Sequence, residues 1–124
     1  MAHGTVLIVD DEDLVRWSLR ERFLQQGYAV LESGTAAAAI AEFSRGAVDV
    51  VLLDCRLPDS DGIAVLRLMK ALAPKAVVIL MTAFPTLENV SEAVEYGACD
   101  YLVKPFDLDD VVECVQRSRI DLGS

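Results

Sequence analysis

Four apolar runs in this chain each end on a side chain able to do chemistry. Val6-Leu7-Ile8-Val9 runs into Asp10 and Asp11, and Val50-Val51-Leu52-Leu53 runs into Asp54. Val77-Val78-Ile79-Leu80-Met81 runs into Thr82, and Tyr101-Leu102-Val103 into Lys104. Short apolar runs bounded by polar residues and alternating with helical patterns read as strands buried on both faces of a parallel sheet. Three carboxylates, a hydroxyl and an ammonium then stand at the carboxyl ends of strands. Open α/β sheets place their ligand sites along that edge.

A chain of 124 residues suits one domain with one core. Its 53% hydrophobic content can supply a sheet covered on both sides. No apolar stretch approaches the roughly 18 residues of a membrane span. Met1-Ala2-His3-Gly4 leads straight into a strand without the regions of a signal peptide, so a cytoplasmic location is expected. The formal charge of -9 repels phosphate backbones and argues against direct nucleic-acid binding. Cys55, Cys99 and Cys114 lie far apart in a chain with one histidine, which excludes zinc-ligand spacing. They read as small buried hydrophobes of a reducing compartment. Cys55 is set apart because it adjoins Asp54.

The pattern repeats strand then helix five times. Strands are expected at about Thr5–Val9, Tyr28–Glu32, Val48–Leu53, Val77–Met81 and Asp100–Val103. The first helix should run from about Asp13 to Gln26, with Asp13 its cap and Gly27 its stop. Val15, Leu19 and Phe23 form its inner stripe, and Trp17 falls off it. The second begins at Ser33-Gly34-Thr35, ends near Ser44 and is closed by Gly46. Asp61 can cap a third helix, Ile63–Leu72, which Pro74 stops. Pro85-Thr86 begins a fourth that reaches about Tyr96, with Gly97 after it. Asp107 can cap a fifth from about Leu108 to Arg119. Strict alternation with short links and right-handed crossovers argues an α/β, doubly wound parallel sheet. Five strands fit the flavodoxin-like order 2-1-3-4-5, which makes strands one and three neighbours at the switch point. Asp10, Asp11 and Asp54 would converge there.

Two carboxylates 5 Å apart repel by about 3 kcal/mol at an effective dielectric near 20. A hard divalent cation with oxygen ligands, Mg²⁺ above all, would offset that repulsion. Asp13 is better read as a helix cap than as a ligand. Asp54, at the end of the most apolar strand, can attack phosphorus as a nucleophile and form an aspartyl phosphate. Lys104 can supply a positive group to the phosphoryl oxygens and Thr82 a hydroxyl donor.

The chain resembles a bacterial response-regulator receiver domain over essentially its whole length. The matching elements are Val9-Asp10-Asp11, Leu53-Asp54 with Leu57-Pro58, Asp61-Gly62, Met81-Thr82-Ala83, Gly97-Ala98 and Asp100 through Phe106. Each is weak alone, and together, in order, they are specific. The resemblance implies that Asp54 is the phosphoacceptor. It implies that Asp10, Asp11, Asp54 and the backbone carbonyl of Arg56 hold Mg²⁺, Asp11 directly and Asp10 largely through water. Thr82 and Lys104 would contact the phosphoryl group, and Tyr101 would be the aromatic switch that moves with Thr82. The Lys104–Pro105 peptide is expected to be cis. Arg56 and Phe84 occupy the variable positions bordering the site, where they would govern access of water.

The resemblance further implies a sensor histidine kinase as donor. A phosphoprotein switch would then reshape the face of the fourth helix, fifth strand and fifth helix to control an output. Leu14-Val15-Arg16-Trp17-Ser18-Leu19 resembles the first helix of receivers in the nitrogen-regulatory, sigma-54 activator class. The expected output is therefore transcription, through an effector domain after Ser124 in a longer regulator. The alternative is a stand-alone receiver in a phosphorelay or one acting by protein contact. A phosphorylation-dependent homodimer is expected, with Leu108 to Ile120 contributing. An FMN module would need a hydroxyl- or glycine-rich phosphate loop where this chain has Asp10-Asp11-Glu12-Asp13. An aspartate-nucleophile phosphatase would need a cap insertion, for which 124 residues leave little room.

Overall fold

The computed structural model describes residues 4–123, and side chains of 4–119. Ten elements alternate: β1 (Thr5–Val9), α1 (Asp13–Gln25), β2 (Ala29–Ser33), α2 (Ala36–Ser44), β3 (Val50–Asp54), α3 (Gly62–Leu72), β4 (Val77–Thr82), α4 (Leu87–Glu95), β5 (Asp100–Val103) and α5 (Leu108–Gly123). All strand pairs are parallel, in the order β2-β1-β3-β4-β5. The expected fold is the observed one.

Alternation along the strands builds two apolar layers. Val6, Ile8, Val50, Leu52, Ile79 and Met81 face α1 and α5, where Leu19, Phe23, Val111 and Val115 close the layer. Leu7, Val9, Val51, Leu53, Val78 and Leu80 face α2, α3 and α4, meeting Phe43, Leu66, Met69 and Ala93. Full burial of each such aliphatic side chain contributes about 1.5–3 kcal/mol. Val15 packs against the first layer and Trp17 is exposed, as the stripe required.

Several local readings shift. Asp13 is the first helical residue of α1 rather than its cap. Glu12 holds the cap position without a side-chain hydrogen bond; its extended backbone donates to the Asp10 carboxylate and its carbonyl accepts the Arg16 N–H, which starts the helix at Asp13. β3 starts two residues later than read and ends one residue later, at Asp54, and β4 extends one residue further, so Asp54 and Thr82 belong to the strands themselves. β2 lies one residue later than read, at Ala29–Ser33. Thr35, Asp61 and Thr86 cap α2, α3 and α4 through their side chains. Asp107 accepts from the Asp109 N–H at the start of α5. Cys114 is buried, but Cys99 is exposed and so departs from the buried-cysteine reading. The amino-terminal reading of residues 1–3 and the dimer reading at Ile120 concern side chains outside those described. Among the described residues, no helix is long and apolar enough to cross a membrane.

Candidate functional site

The ends of β1, β3, β4 and β5 meet at one edge of the sheet. Asp10 is fully buried just past β1, and Asp54 is buried at the last position of β3. Lys104 follows β5, and its backbone N–H donates to the Thr82 carbonyl at 2.7 Å. That bond continues the β4–β5 pairing, and two residues past Leu102, which packs in the first apolar layer, the Lys104 side chain lies on that same face. Its Nζ donates to Asp10 Oδ2 at 2.6 Å and to Asp54 Oδ2 at 2.9 Å, and lies 3.4 Å from Glu12 Oε1. The Lys104–Pro105 peptide is cis, as the resemblance implied.

Each acid is also held by backbone. Asp10 Oδ1 accepts from the Glu12 N–H at 2.9 Å, and Asp54 Oδ1 accepts from the Arg56 N–H at 2.9 Å. After β3 the chain makes a closed loop. Arg56 pairs with Asp61 across its base, and the Gly62 N–H donates to the Cys55 carbonyl at 2.8 Å. A side chain at Gly62 would bring its Cβ to 2.6 Å from the Asp54 carbonyl oxygen, which excludes any other residue there. Asp59, on the same loop, accepts from the Ala36 and Ala37 N–H groups at 2.8 and 3.0 Å. These two bonds hold its carboxyl below the ordinary range.

Burial raises the Asp10 pKa, against the pull of Lys104 and the Glu12 N–H; the charge of Asp54 adds to the rise. Burial alone would lower Lys104, but hydrogen bonds and charge from Asp10 and Asp54 outweigh it and raise the ammonium pKa. Asp10, Glu12 and Asp54 each bring an oxygen within 4.8 Å of the others. Three carboxylates against one ammonium leave this pocket with two surplus negative charges. Hard oxygen donors and that surplus suit a divalent cation such as Mg²⁺.

The structure thus brings Asp10, Asp54 and Lys104 together as expected. Asp11 stands beside them, exposed and outside the compact acidic group. Glu12 is the member that sequence reasoning missed. Its signal was adjacency: the Asp10 side chain turns the backbone back at Glu12 and carries that carboxylate toward Lys104.

Thr82 points to the other face of the sheet, by its parity in β4. Its Oγ1 accepts from the Phe84 N–H at 3.1 Å, which leaves its own proton to donate. Cys55 and Tyr101 are its neighbours there. Burial first, then the charge of Asp54, pushes the Cys55 thiol up to about 11, opposed by a Thr82 hydrogen bond. Tyr101 packs against the second apolar layer. Burial and the nearby Cys55 raise its pKa and Thr82 opposes the rise, yet its buried hydroxyl has no hydrogen-bond partner of good geometry. Arg56 and Phe84 meet directly, with the guanidinium carbon 4.6 Å from the ring centroid.

Fold and site together define a doubly wound α/β domain with an acid–lysine centre at its topological switch point. The chain belongs to the response regulator receiver domain family, whose model matches residues 6–116. It is a phosphorylation-dependent signalling domain. Over 117 residues it is 43% identical to regulatory protein AtoC of Escherichia coli (strain K12), covering 94% of this chain and 25% of that protein. It is 35% identical to sporulation initiation phosphotransferase F of Bacillus subtilis (strain 168), covering 94% of both. The chain therefore spans about a quarter of one relative and nearly all of the other. A CheY-like receiver domain protein from Methanospirillum hungatei JF-1 superposes with a TM-score of 0.93 at 28% identity, over 96% of this chain and 95% of that one.

Proposed function

We propose that Asp54 accepts a phosphoryl group from the phosphohistidine of a sensor histidine kinase. The observation that carries this reading is the Lys104 ammonium shared between Asp10 and Asp54 at the switch point. An Asp54 carboxylate oxygen attacks phosphorus as the P–N bond to the histidine breaks, and the released imidazole takes up a proton. Lys104 moves from the carboxylates to a phosphoryl oxygen, and the Thr82 hydroxyl donates to another. Asp10, Asp11, Asp54 and the Arg56 carbonyl would hold Mg²⁺, which when bound neutralises charge on the donor phosphate. Hydrolysis reverses the state: water attacks phosphorus and the Asp54 carboxylate leaves. On this reading the domain promotes both its own phosphorylation and its own dephosphorylation. Arg56 stacked on Phe84 forms a cover at the mouth of the site, and it slows entry of that water.

The switch lies on the opposite face. Recruitment of the Thr82 hydroxyl by the phosphoryl group changes the surroundings of Tyr101, whose own hydroxyl has no partner to hold it. Val94 on α4 lines one cavity with Tyr101, and Val94, Leu87 on α4 and Val103 on β5 are exposed apolar residues. A surface of this kind serves an output domain or a second copy. We infer transcription as the output, through a domain beyond Ser124, with the chain in the cytoplasm. Two features support this: the first-helix likeness, and the similarity to AtoC over a quarter of its length. Full-length coverage of sporulation initiation phosphotransferase F favours a second reading, a receiver that stands alone in a relay.

Incubation with radiolabelled acetyl phosphate and Mg²⁺ tests the chemistry. Labelling is expected in the wild type and absent in Asp54→Asn, and persistent labelling of that variant would contradict the assignment. Replacing both Arg56 and Phe84 with alanine should hasten loss of label. An unchanged rate would remove their role as a cover.

A further inference from the structure

Asp11 has no side-chain hydrogen bond or ion pair among the described residues. The aim of its carboxylate is therefore set by its backbone, and that backbone is held from the peptide before it. The Asp10 N–H donates to the Ser33 carbonyl at 3.1 Å. The Asp10 carbonyl accepts from Arg16 Nη1 at 2.7 Å. That carbonyl and the Asp11 N–H belong to one rigid peptide plane. Fixing the carbonyl therefore fixes the direction in which the chain enters Asp11.

The Arg16 side chain is only 19% exposed, and its fork reaches three acceptors, on the turn after β1, on α1 and on β2. Beyond the Asp10 carbonyl, Nη2 lies 2.6 Å from Asp13 Oδ1 and Nε lies 3.4 Å from Glu32 Oε1 on β2. Gly34 leaves the room: an added Cβ would stand 3.3 Å from Arg16 Nη1. A planar guanidinium with five donors can serve these acceptors together, whereas an ammonium is a point donor.

We propose that Arg16 is a positioning residue for the metal-binding turn, aiming the Asp11 carboxylate by clamping the Asp10–Asp11 peptide plane. This rests on the reading of Asp10, Asp11 and Asp54 as the Mg²⁺ site. The test is calorimetric titration of the protein with MgCl₂, at a temperature where circular dichroism shows each variant folded. Arg16→Met should weaken Mg²⁺ binding roughly tenfold, as removal of a group that orients a ligand does. Arg16→Lys should weaken it severalfold, and it carries the test if Arg16→Met does not fold. Arg20 also pairs with Glu32, at 3.6 Å, without bonding to Asp10. Arg20→Met should therefore stay within about twofold of wild type, since it removes only a shared surface pair. Because Arg16 acts through Asp11, Arg16→Met should add little in an Asp11→Asn background. Wild-type affinity in either Arg16 variant, equal losses in Arg16→Met and Arg20→Met, or full additivity with Asp11→Asn would overturn the inference. Absence of Mg²⁺ binding by the wild type would overturn the metal-site reading itself, and this inference with it.

Discussion

The two faces of the sheet edge hold their functional groups in different ways. On the α1/α5 side, Asp10, Asp54 and Lys104 are joined by short charged hydrogen bonds, and a backbone N–H holds each acid as well. On the α3/α4 side, Thr82, Cys55 and Tyr101 are neutral, and the Tyr101 hydroxyl is buried without a partner. A charged cluster in a nearly dry pocket cannot tolerate loss of one member, because the remainder becomes an uncompensated buried charge. A neutral cluster with one unsatisfied hydroxyl has little to hold it in one arrangement. The first side suits chemistry that needs fixed geometry. The second suits a switch between states of similar energy.

Removing a member of the charged side is the severest way to break this contrast. Lys104→Gln should lower stability in metal-free buffer by about 3 kcal/mol, the order seen when one partner of a buried pair is lost. Mg²⁺ should restore part of that loss, since a divalent cation supplies the missing charge. Urea denaturation with and without Mg²⁺ measures both effects. Lys104 also carries a pH signature. Its pKa is raised on folding, so its contribution is fully present below 10.5 and is lost as the pH climbs through the higher folded value. The wild type should show this alkaline loss and Lys104→Gln should not. Equal pH profiles for the two proteins would place the stabilising charge elsewhere.

A smaller effect is expected at Cys55. A thiol pushed up to about 11 from 9.0 holds about a hundredfold less thiolate at neutral pH than an ordinary cysteine. Iodoacetamide modification followed by mass spectrometry should therefore find Cys55 slow relative to the exposed Cys99. Fast labelling of Cys55 would show that its side of the edge is open and wet. The smallest effect belongs to Tyr101→Phe. Deleting a hydroxyl that has no partner should change stability by less than about 1 kcal/mol, in either direction. A larger loss in thermal denaturation would mean that the hydroxyl is bonded after all, and the contrast between the faces would weaken.

Much of this was legible in the residues. Apolar runs of strand length, punctuated by Gly27, Gly46, Pro74 and Gly97, were enough for five strands, five helices and their order, because hydrophobic period and backbone breakers act locally. Capping at Asp61 and Asp107, and the start of α4 after Pro85-Thr86, followed from the same local chemistry. Asp13 failed as a cap because the Asp10 carboxylate holds the Glu12 N–H and the Glu12 carbonyl takes the first helical bond, so the helix starts one residue earlier. Glu12 was passed over because only the turn at Asp10 brings it near Lys104. The carbonyl clamp by Arg16 could not be read at all, since a main-chain acceptor has no signature in the side-chain sequence.

Local pattern decided which residues sit at the ends of strands, and the alternation of elements decided that those ends share an edge. Parallel pairing of β1 with β3 placed Asp10 beside Asp54, and the turn after β5 brought Lys104 between them. Which acids share the lysine, which stands exposed, and which buried hydroxyls lack a partner were settled only by the packed structure. Those outcomes depend on distances of a few ångströms between residues far apart in the chain, and burial sets their energies.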